Sequence, residues 1–366
     1  MVVLRLSGLR HPGRRLRLQP VRRRPARHPR PEGERPVTTD TTVLDIHDLG
    51  IDLPTFQGDV AALNGVSLAV KAGEIVGLVG ESGSGKSVTA MMAMRLIEEK
   101  AYRVRSGRIA ILGRDVLAMS ERELSRMRAR DAAMIFQEPM TALNPTRRIG
   151  DQMCEVIRQH RDIDRAGAKR LAADLLREVQ LGDAEQTLGK YPFELSGGMR
   201  QRVLIAMAYS CNPKLIIADE PTTALDVTVQ KQILLLLRRM AEKTGSGVLL
   251  ITHDLAVVSQ ICHRVYVLYA GSVMETGATR DIIHAPRHPY TSALLKALPD
   301  QGTPREPLPS IPGTVPDPRA LPAGCLFANR CERRLARCDE RPPLFKSGTR
   351  EVACWLEARE SEESER

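Results

Sequence analysis

Apolar and polar residues change rhythm several times along this chain, and each change marks a strand or a helix. From Val43 the run VLDIHDLGIDL reads as a strand, and after a loop VSLAV and EIVGLVG follow. The apolar stretch 75–79 ends in a glycine-rich turn and a helix-like segment, 87–98. A polar, Arg-rich helix is expected over about 120–130, then a short apolar strand over 132–136. Residues 139–190 read as mostly helical, since apolar positions in LAADLLREV recur at helical spacing. A Ser-Gly-Gly turn opens a helix over 199–209, and 215–218 and 248–252 read as buried strands. Between those strands Asp226 can cap a helix with Val229, Ile233, Leu236, Leu237 and Met240 on one face. Another helix starts at Leu255. Strands alternating with helices imply a mostly parallel sheet, hence an α/β fold. The Pro-rich stretch 299–322 reads as a linker to a small Cys-rich C-terminal module. The expected division is therefore a tail over 1–36, a main domain over 37–298 and a C-terminal segment over 299–366.

Composition narrows the setting. A chain of 366 residues can bury a large core. Apolar residues make up 42%, yet no run approaches the roughly 18 needed to span a bilayer. If the protein works at a membrane, another chain supplies the passage. The formal charge of +10 suggests nucleic acid until it is located. Residues 1–36 hold 11 Arg and only Glu32 and Glu34, a net +9, which leaves about +1 for the rest. The body is nearly neutral. The tail, with five prolines from Pro12 to Pro31 and little apolar periodicity, reads as disordered, and it lacks a secretory signal's apolar stretch. A solvated, dispensable tail is favoured over one that contacts anionic lipid or nucleic acid.

Gly80-Glu81-Ser82-Gly83-Ser84-Gly85-Lys86-Ser87 is a full GxxxxGK[ST] phosphate loop between a strand and a helix. Its glycines let backbone amides face the phosphates at the positive end of the helix. Lys86 would reach the β- and γ-phosphates of ATP, and the Ser87 hydroxyl would hold Mg²⁺. Downstream, Leu215-Ile-Ile-Ala-Asp219-Glu220 carries two adjacent carboxylates at a strand end. Asp219 would orient the Mg²⁺ shell and Glu220 would activate the attacking water as a general base. By itself an acidic strand end is weak evidence; its place between the other motifs gives it force.

A phosphate loop alone fits kinases, GTPases and helicases. The segment Leu195-Ser196-Gly197-Gly198-Met199-Arg200-Gln201-Arg202 is similar to the LSGGQ signature of ABC ATPases. That resemblance implies a RecA-like core with an antiparallel β portion, a helical subdomain over about 139–190, and a head-to-tail pair of ATPase subunits. In such a pair Ser196, Gly197, Gly198 and Met199 face ATP held by the other subunit. The resemblance further assigns Gln137 to the loop that senses Mg²⁺ and water, His253 to the γ-phosphate switch, and Asp226 to communication across the dimer. It places Phe56 near the adenine-stacking aromatic.

Within the family, the stretches Glu138-Pro-Met-Thr-Ala-Leu-Asn-Pro145, Ala218 to Gln230 and His288 to Pro299 resemble the dipeptide, oligopeptide and nickel importers. The likeness begins near Val37, so an over-long start is expected. It implies peptide import at the cytoplasmic face of the membrane, with a related or identical second ATPase, two permeases and an external solute-binding protein, and without nucleic acid. Nickel or another small solute is the alternative cargo. A soluble ABC ATPase acting on nucleic acid or ribosomes usually has two nucleotide domains, and this chain has one phosphate loop. An adaptor without turnover would not need Glu220 and His253.

Of seven cysteines, Cys154, Cys211 and Cys262 are scattered. Cys325, Cys331, Cys338 and Cys354 cluster in the last module, without CxxC pairs. Their spacing leaves iron–sulfur, zinc and buried thiols open. Some relatives with this pattern hold a [4Fe–4S] cluster, so the resemblance implies one here.

Overall fold

Long alternating runs near the start of the chain and short, uniformly apolar runs later on build two different sheets. The structure is a computed structural model that describes residues 41–223, 225–297 and 310–358. The basic tail and the first part of the Pro-rich stretch lie outside the described residues.

The first sheet is antiparallel and joins β1 (Thr42–Thr55), β2 (Gly58–Lys71), β4 (Arg103–Ile111) and β5 (Arg114–Asp115) in the order β2-β1-β4-β5. Leu44, Ile46, Leu49 and Ile51 of β1 are buried while Asp45, His47 and Asp48 are not, as expected for a sheet with one covered face. The second sheet runs, in spatial order, through β11 (Phe345–Ser347), β12 (Arg350–Val352), β10 (Ser272–Ala278), β9 (Arg264–Tyr269), β3 (Ile75–Val79), β8 (Gly247–Thr252), β7 (Leu215–Asp219) and β6 (Ala132–Ile135). Its parallel part comprises β3 (Ile75–Val79), β6 (Ala132–Ile135), β7 (Leu215–Asp219), β8 (Gly247–Thr252) and β9 (Arg264–Tyr269). Every residue of β3, β7 and β8 is buried, because both faces are covered and alternation has no purpose there.

The helix after the phosphate loop, α1 (Lys86–Ala93), is shorter than its apolar pattern suggests. Arg95 sits at φ 46°, and the Arg128 guanidinium donates to the Met94 and Arg95 carbonyls at 3.2 and 2.6 Å. These bonds satisfy the helix end that a further turn would have satisfied. α2 (Glu121–Met127) opens with a capping box between Ser120 and Glu123. The expected helical insert consists of α3 (Pro139–Ala142), α4 (Ile149–His160), α5 (Arg165–Glu178) and α6 (Ala184–Gly189). Next come α7 (Gly197–Tyr209), α8 (Val227–Thr244), α9 (Leu255–Ile261), α10 (Thr279–His284) and α11 (Pro289–Lys296). Asp226 caps α8 by accepting from the Val229 amide at 3.0 Å. Ile233, Leu236, Leu237 and Met240 of α8 are buried, with half-buried Val229 packed against the same cluster. Among the described residues no helix is long and apolar enough to cross a membrane.

Three antiparallel strands complete the second sheet. β10 (Ser272–Ala278) pairs with β9, β12 (Arg350–Val352) with β10, and β11 (Phe345–Ser347) with β12. The Cys-rich segment thus continues the second sheet. Glu275 of β10 is fully buried and accepts from the Arg287 and His288 amides, each at 3.0 Å, and from Arg350 at 2.7 Å. A buried carboxylate so surrounded is compensated, and it locks β12 to the main body. Tyr269, Tyr290, Phe327 and Trp355 share one core with Cys325, Cys338 and Val79, the last residue of β3. Part of the expected linker lies along the β1–β2 hairpin, where the Ala61 amide donates to the Pro318 carbonyl at 3.0 Å and Arg319 to Gln57 at 2.6 Å.

Candidate functional site

Buried strand β3 delivers the phosphate loop, and two glycines give it its shape. Gly80 lies at φ 155°, where a Cβ would fall 2.1 Å from the Leu268 carbonyl oxygen; Gly85 lies at φ 100°, 2.9 Å from that of Ala62. Neither position accepts a side chain. Lys86 is buried, and its Nζ donates to the carbonyls of Gly80 and Glu81 at 2.9 and 2.8 Å. Burial holds the Lys86 pKa below its ordinary value, opposed by the nearby charges of Glu220, Asp219 and Glu81. The Ser87 hydroxyl donates to Asp219 Oδ1 at 3.3 Å. Burial raises the Asp219 pKa, the Ser87 bond lowers it, and the Glu220 charge raises it again. A hydroxyl and a carboxylate oxygen side by side at a phosphate loop are hard oxygen donors of the kind Mg²⁺ takes, so this pair fits the ion.

Glu220 follows β7 at φ 44°, a left-handed conformation uncommon for a residue with a side chain. Its amide donates to the Ile251 carbonyl of β8 at 2.9 Å, which fixes that turn. Three side chains meet its carboxylate. Gln137 Nε2 donates to Oε2 at 3.1 Å, Thr223 Oγ1 donates to the same oxygen at 2.8 Å, and His253 Nδ1 lies 3.2 Å from Oε1. Gln137 follows β6, Glu220 follows β7 and His253 follows β8, so adjacent parallel strands deliver all of them to one edge. Thr223 escaped the sequence reading. Its place three residues beyond Glu220, in a turn, was the available signal.

The Glu81 side chain turns toward Arg330, and its amide donates to the Tyr290 hydroxyl at 2.9 Å. Neither partner was anticipated. Ser196 caps α7 through the Met199 amide at 3.3 Å. A Cβ on Gly197 would meet Leu225 at 3.2 Å and one on Gly198 would meet Val229 at 2.8 Å. The signature glycines are thus pressed against the segment that contains Asp226. Phe56 stands fully exposed at the tip of the β1–β2 hairpin.

Cys325, Cys338 and Cys354 are buried and Cys331 is half-buried; all seven cysteines are free thiols. Burial pushes the Cys354 thiol up to about 12, and the other three cysteines of the module add to the shift. The Leu335 amide points at Cys338 Sγ from 3.4 Å, and the Cys325 amide donates to the Cys338 carbonyl at 2.9 Å. No group of three or more His, Cys, Asp or Glu among the described residues is arranged to hold a metal ion. Cys325 and Cys338 pack into the apolar core that contains Phe327 and Trp355, with half-buried Cys331 against it.

Residues 63–223 match the family described as ABC transporter, and 274–338 match the oligopeptide/dipeptide transporter C-terminal region. The chain is 58% identical over 320 residues to the probable D,D-dipeptide transport ATP-binding protein DdpD of Escherichia coli, covering 87% of this chain and 98% of that protein. This chain belongs to the ABC transporter ATPases. The Bacillus subtilis oligopeptide transport ATP-binding protein OppD is 45% identical, covering 86% of this chain and 89% of its own. A solved dimeric post-hydrolysis structure of the ATP-binding cassette MJ0796, bound to ADP and Pi, superimposes with a TM-score of 0.58 at 28% identity. It covers 65% of this chain and 99% of its own. In this ABC ATPase the second matched region begins in β10 and ends at Cys338, so it contains both Tyr290 and Arg330.

Proposed function

We propose that this ABC ATPase hydrolyses ATP at the Glu220 site to drive peptide import across the cytoplasmic membrane. The observation that carries the chemistry is the meeting of Gln137, Thr223 and His253 on the Glu220 carboxylate, next to Lys86 and the Ser87–Asp219 pair. The peptide reading rests on end-to-end similarity to dipeptide and oligopeptide transport subunits.

ATP would lie with its phosphates along residues 80–87 and its base near Phe56. Ser87, Asp219 and Gln137 would hold Mg²⁺, which neutralises charge on the β- and γ-phosphates when bound. Glu220 would take the proton of the attacking water as that water bonds to the γ-phosphorus and the bond to the ADP oxygen breaks. His253 would contact the γ-phosphate. Ser196, Gly197, Gly198 and Met199 would grip ATP on a second ATPase subunit, with Asp226 relaying the state of one site to the other. Two permeases would receive the motion of the 139–190 insert, at the cytoplasmic face, and an external solute-binding protein would deliver cargo. The division into 1–36, 37–298 and 299–366 belongs to this proposal, as does the absence of a nucleic-acid partner.

Uptake of labelled di- and oligopeptides, with labelled nickel alongside, tests the cargo in cells whose only copy of the chain is wild type or catalytically dead. Selective loss of peptide uptake is expected. Loss of nickel uptake alone would make nickel the cargo, and unchanged uptake of both would remove the importer reading.

We also propose a [4Fe–4S] cluster on Cys325, Cys331, Cys338 and Cys354. It is supported by the four-cysteine pattern of the C-terminal segment, in which Cys325, Cys338 and Cys354 are buried and Cys331 is half-buried. Anaerobically purified protein is expected to show broad brown absorbance and about four irons per chain. Stably folded, iron-free protein would exclude the cluster.

A further inference from the structure

Glu81 places a carboxylate inside a loop built to receive polyphosphate. Left free, that charge would repel the phosphates and compete for Lys86, whose Nζ already touches the Glu81 carbonyl at 2.8 Å. The matched region 274–338 meets Glu81 from two directions. Arg330 forms a two-pronged pair, Nη1 to Oε2 at 2.7 Å and Nη2 to Oε1 at 3.0 Å. Tyr290 accepts from the Glu81 amide at 2.9 Å. Arg330 is itself buried and aimed by further bonds, from Nε to the Pro312 carbonyl at 2.9 Å and from Nη1 to the Tyr269 hydroxyl at 3.2 Å. Its guanidinium carbon lies 5.7 Å from the Tyr269 ring centre and 6.0 Å from that of Phe327. Tyr269, Tyr290 and Phe327 pack on one another with centres 4.6 to 5.4 Å apart. A buried guanidinium held by a ring cluster and a backbone carbonyl cannot follow a wandering carboxylate. It fixes the carboxylate instead.

We propose that Arg330 is a positioning residue of the nucleotide site: it neutralises Glu81 and holds it away from Lys86, so that the C-terminal segment sets the affinity of the phosphate loop for ATP. This inference rests on the phosphate-loop reading above. Tyr290 acts with it by pinning the Glu81 backbone.

A double-mutant cycle on the full-length chain, read by MgATP binding and by steady-state ATPase, tests it. Arg330→Met is expected to raise Kd and KM for MgATP about tenfold, with kcat changed less than about threefold. In a Glu81→Gln background the same substitution should raise Kd less than about threefold, because the charge it balanced is gone. A structural role alone would cost as much in either background, and that outcome would overturn the proposal, as would an unchanged Kd in Arg330→Met. If Arg330→Met fails to fold, Arg330→Lys keeps the charge but not the planar fork, and the same loss of coupling on going to Glu81→Gln is required of it. Lys86→Ala separates the two readings. If it binds MgATP like wild type the phosphate-loop reading itself fails, whereas if it loses binding and Arg330→Met does not, only the role of Arg330 fails.

Discussion

Glu220→Gln is expected to lower ATP turnover by about 100-fold or more while leaving MgATP binding intact. The amide keeps the size and shape of the carboxylate, so the turn at φ 44° and its bond to the Ile251 carbonyl should survive. What is lost is an oxygen able to take a proton from water. Gln137, Thr223 and His253 all meet that carboxylate, and an amide cannot accept from each of them in the same way. Phosphate release at saturating ATP measures the loss. Because ATP would remain at the shared interface, size-exclusion chromatography with MgATP should show the variant accumulating as a dimer. Near-normal hydrolysis would take Glu220 out of the catalytic role.

Lys86→Ala should weaken MgATP binding by about 10- to 100-fold and abolish measurable turnover. A charge-assisted bond to phosphate contributes about 1.5–3 kcal/mol, which corresponds to that range of affinity. Lys86 is buried and already bonds two loop carbonyls, so it is held in place before any phosphate arrives. Removing it takes a positive charge from beside the carboxylates of Asp219 and Glu220. Titration with a fluorescent ATP analogue measures affinity, and a circular dichroism spectrum checks that the fold persists. Wild-type affinity would move the phosphate site elsewhere.

Much of the architecture was legible in the sequence because local rules governed it. The uniform apolar runs at 75–79, 215–218 and 248–252 became strands buried on both faces. Asp226 became a cap because a side-chain oxygen beside the first turn bonds its free amides wherever the helix lies. The 87–98 helix was overestimated because Arg128, which satisfies the carbonyls at its end, is distant in sequence. The β11 and β12 strands were missed for a related reason. Three-residue segments containing Lys346, Arg350 and Glu351 carry no strand pattern of their own, and they form because β10 offers an open edge.

The phosphate loop, the acidic strand end, the signature turn and the α/β order are readable without coordinates, since each depends on residue type at short spacing. Which of these meet depends on the packed fold: parallel packing of β6, β7 and β8 brings Gln137, Glu220 and His253 to one edge from positions far apart in the chain. The same packing adds strands of the Cys-rich segment to the ATPase sheet and brings Arg330 to Glu81 across 249 positions. Pairings at that separation leave no periodic trace in sequence, because the energy that selects them comes from pairing charges and burying rings against surfaces that exist only once the chain has folded.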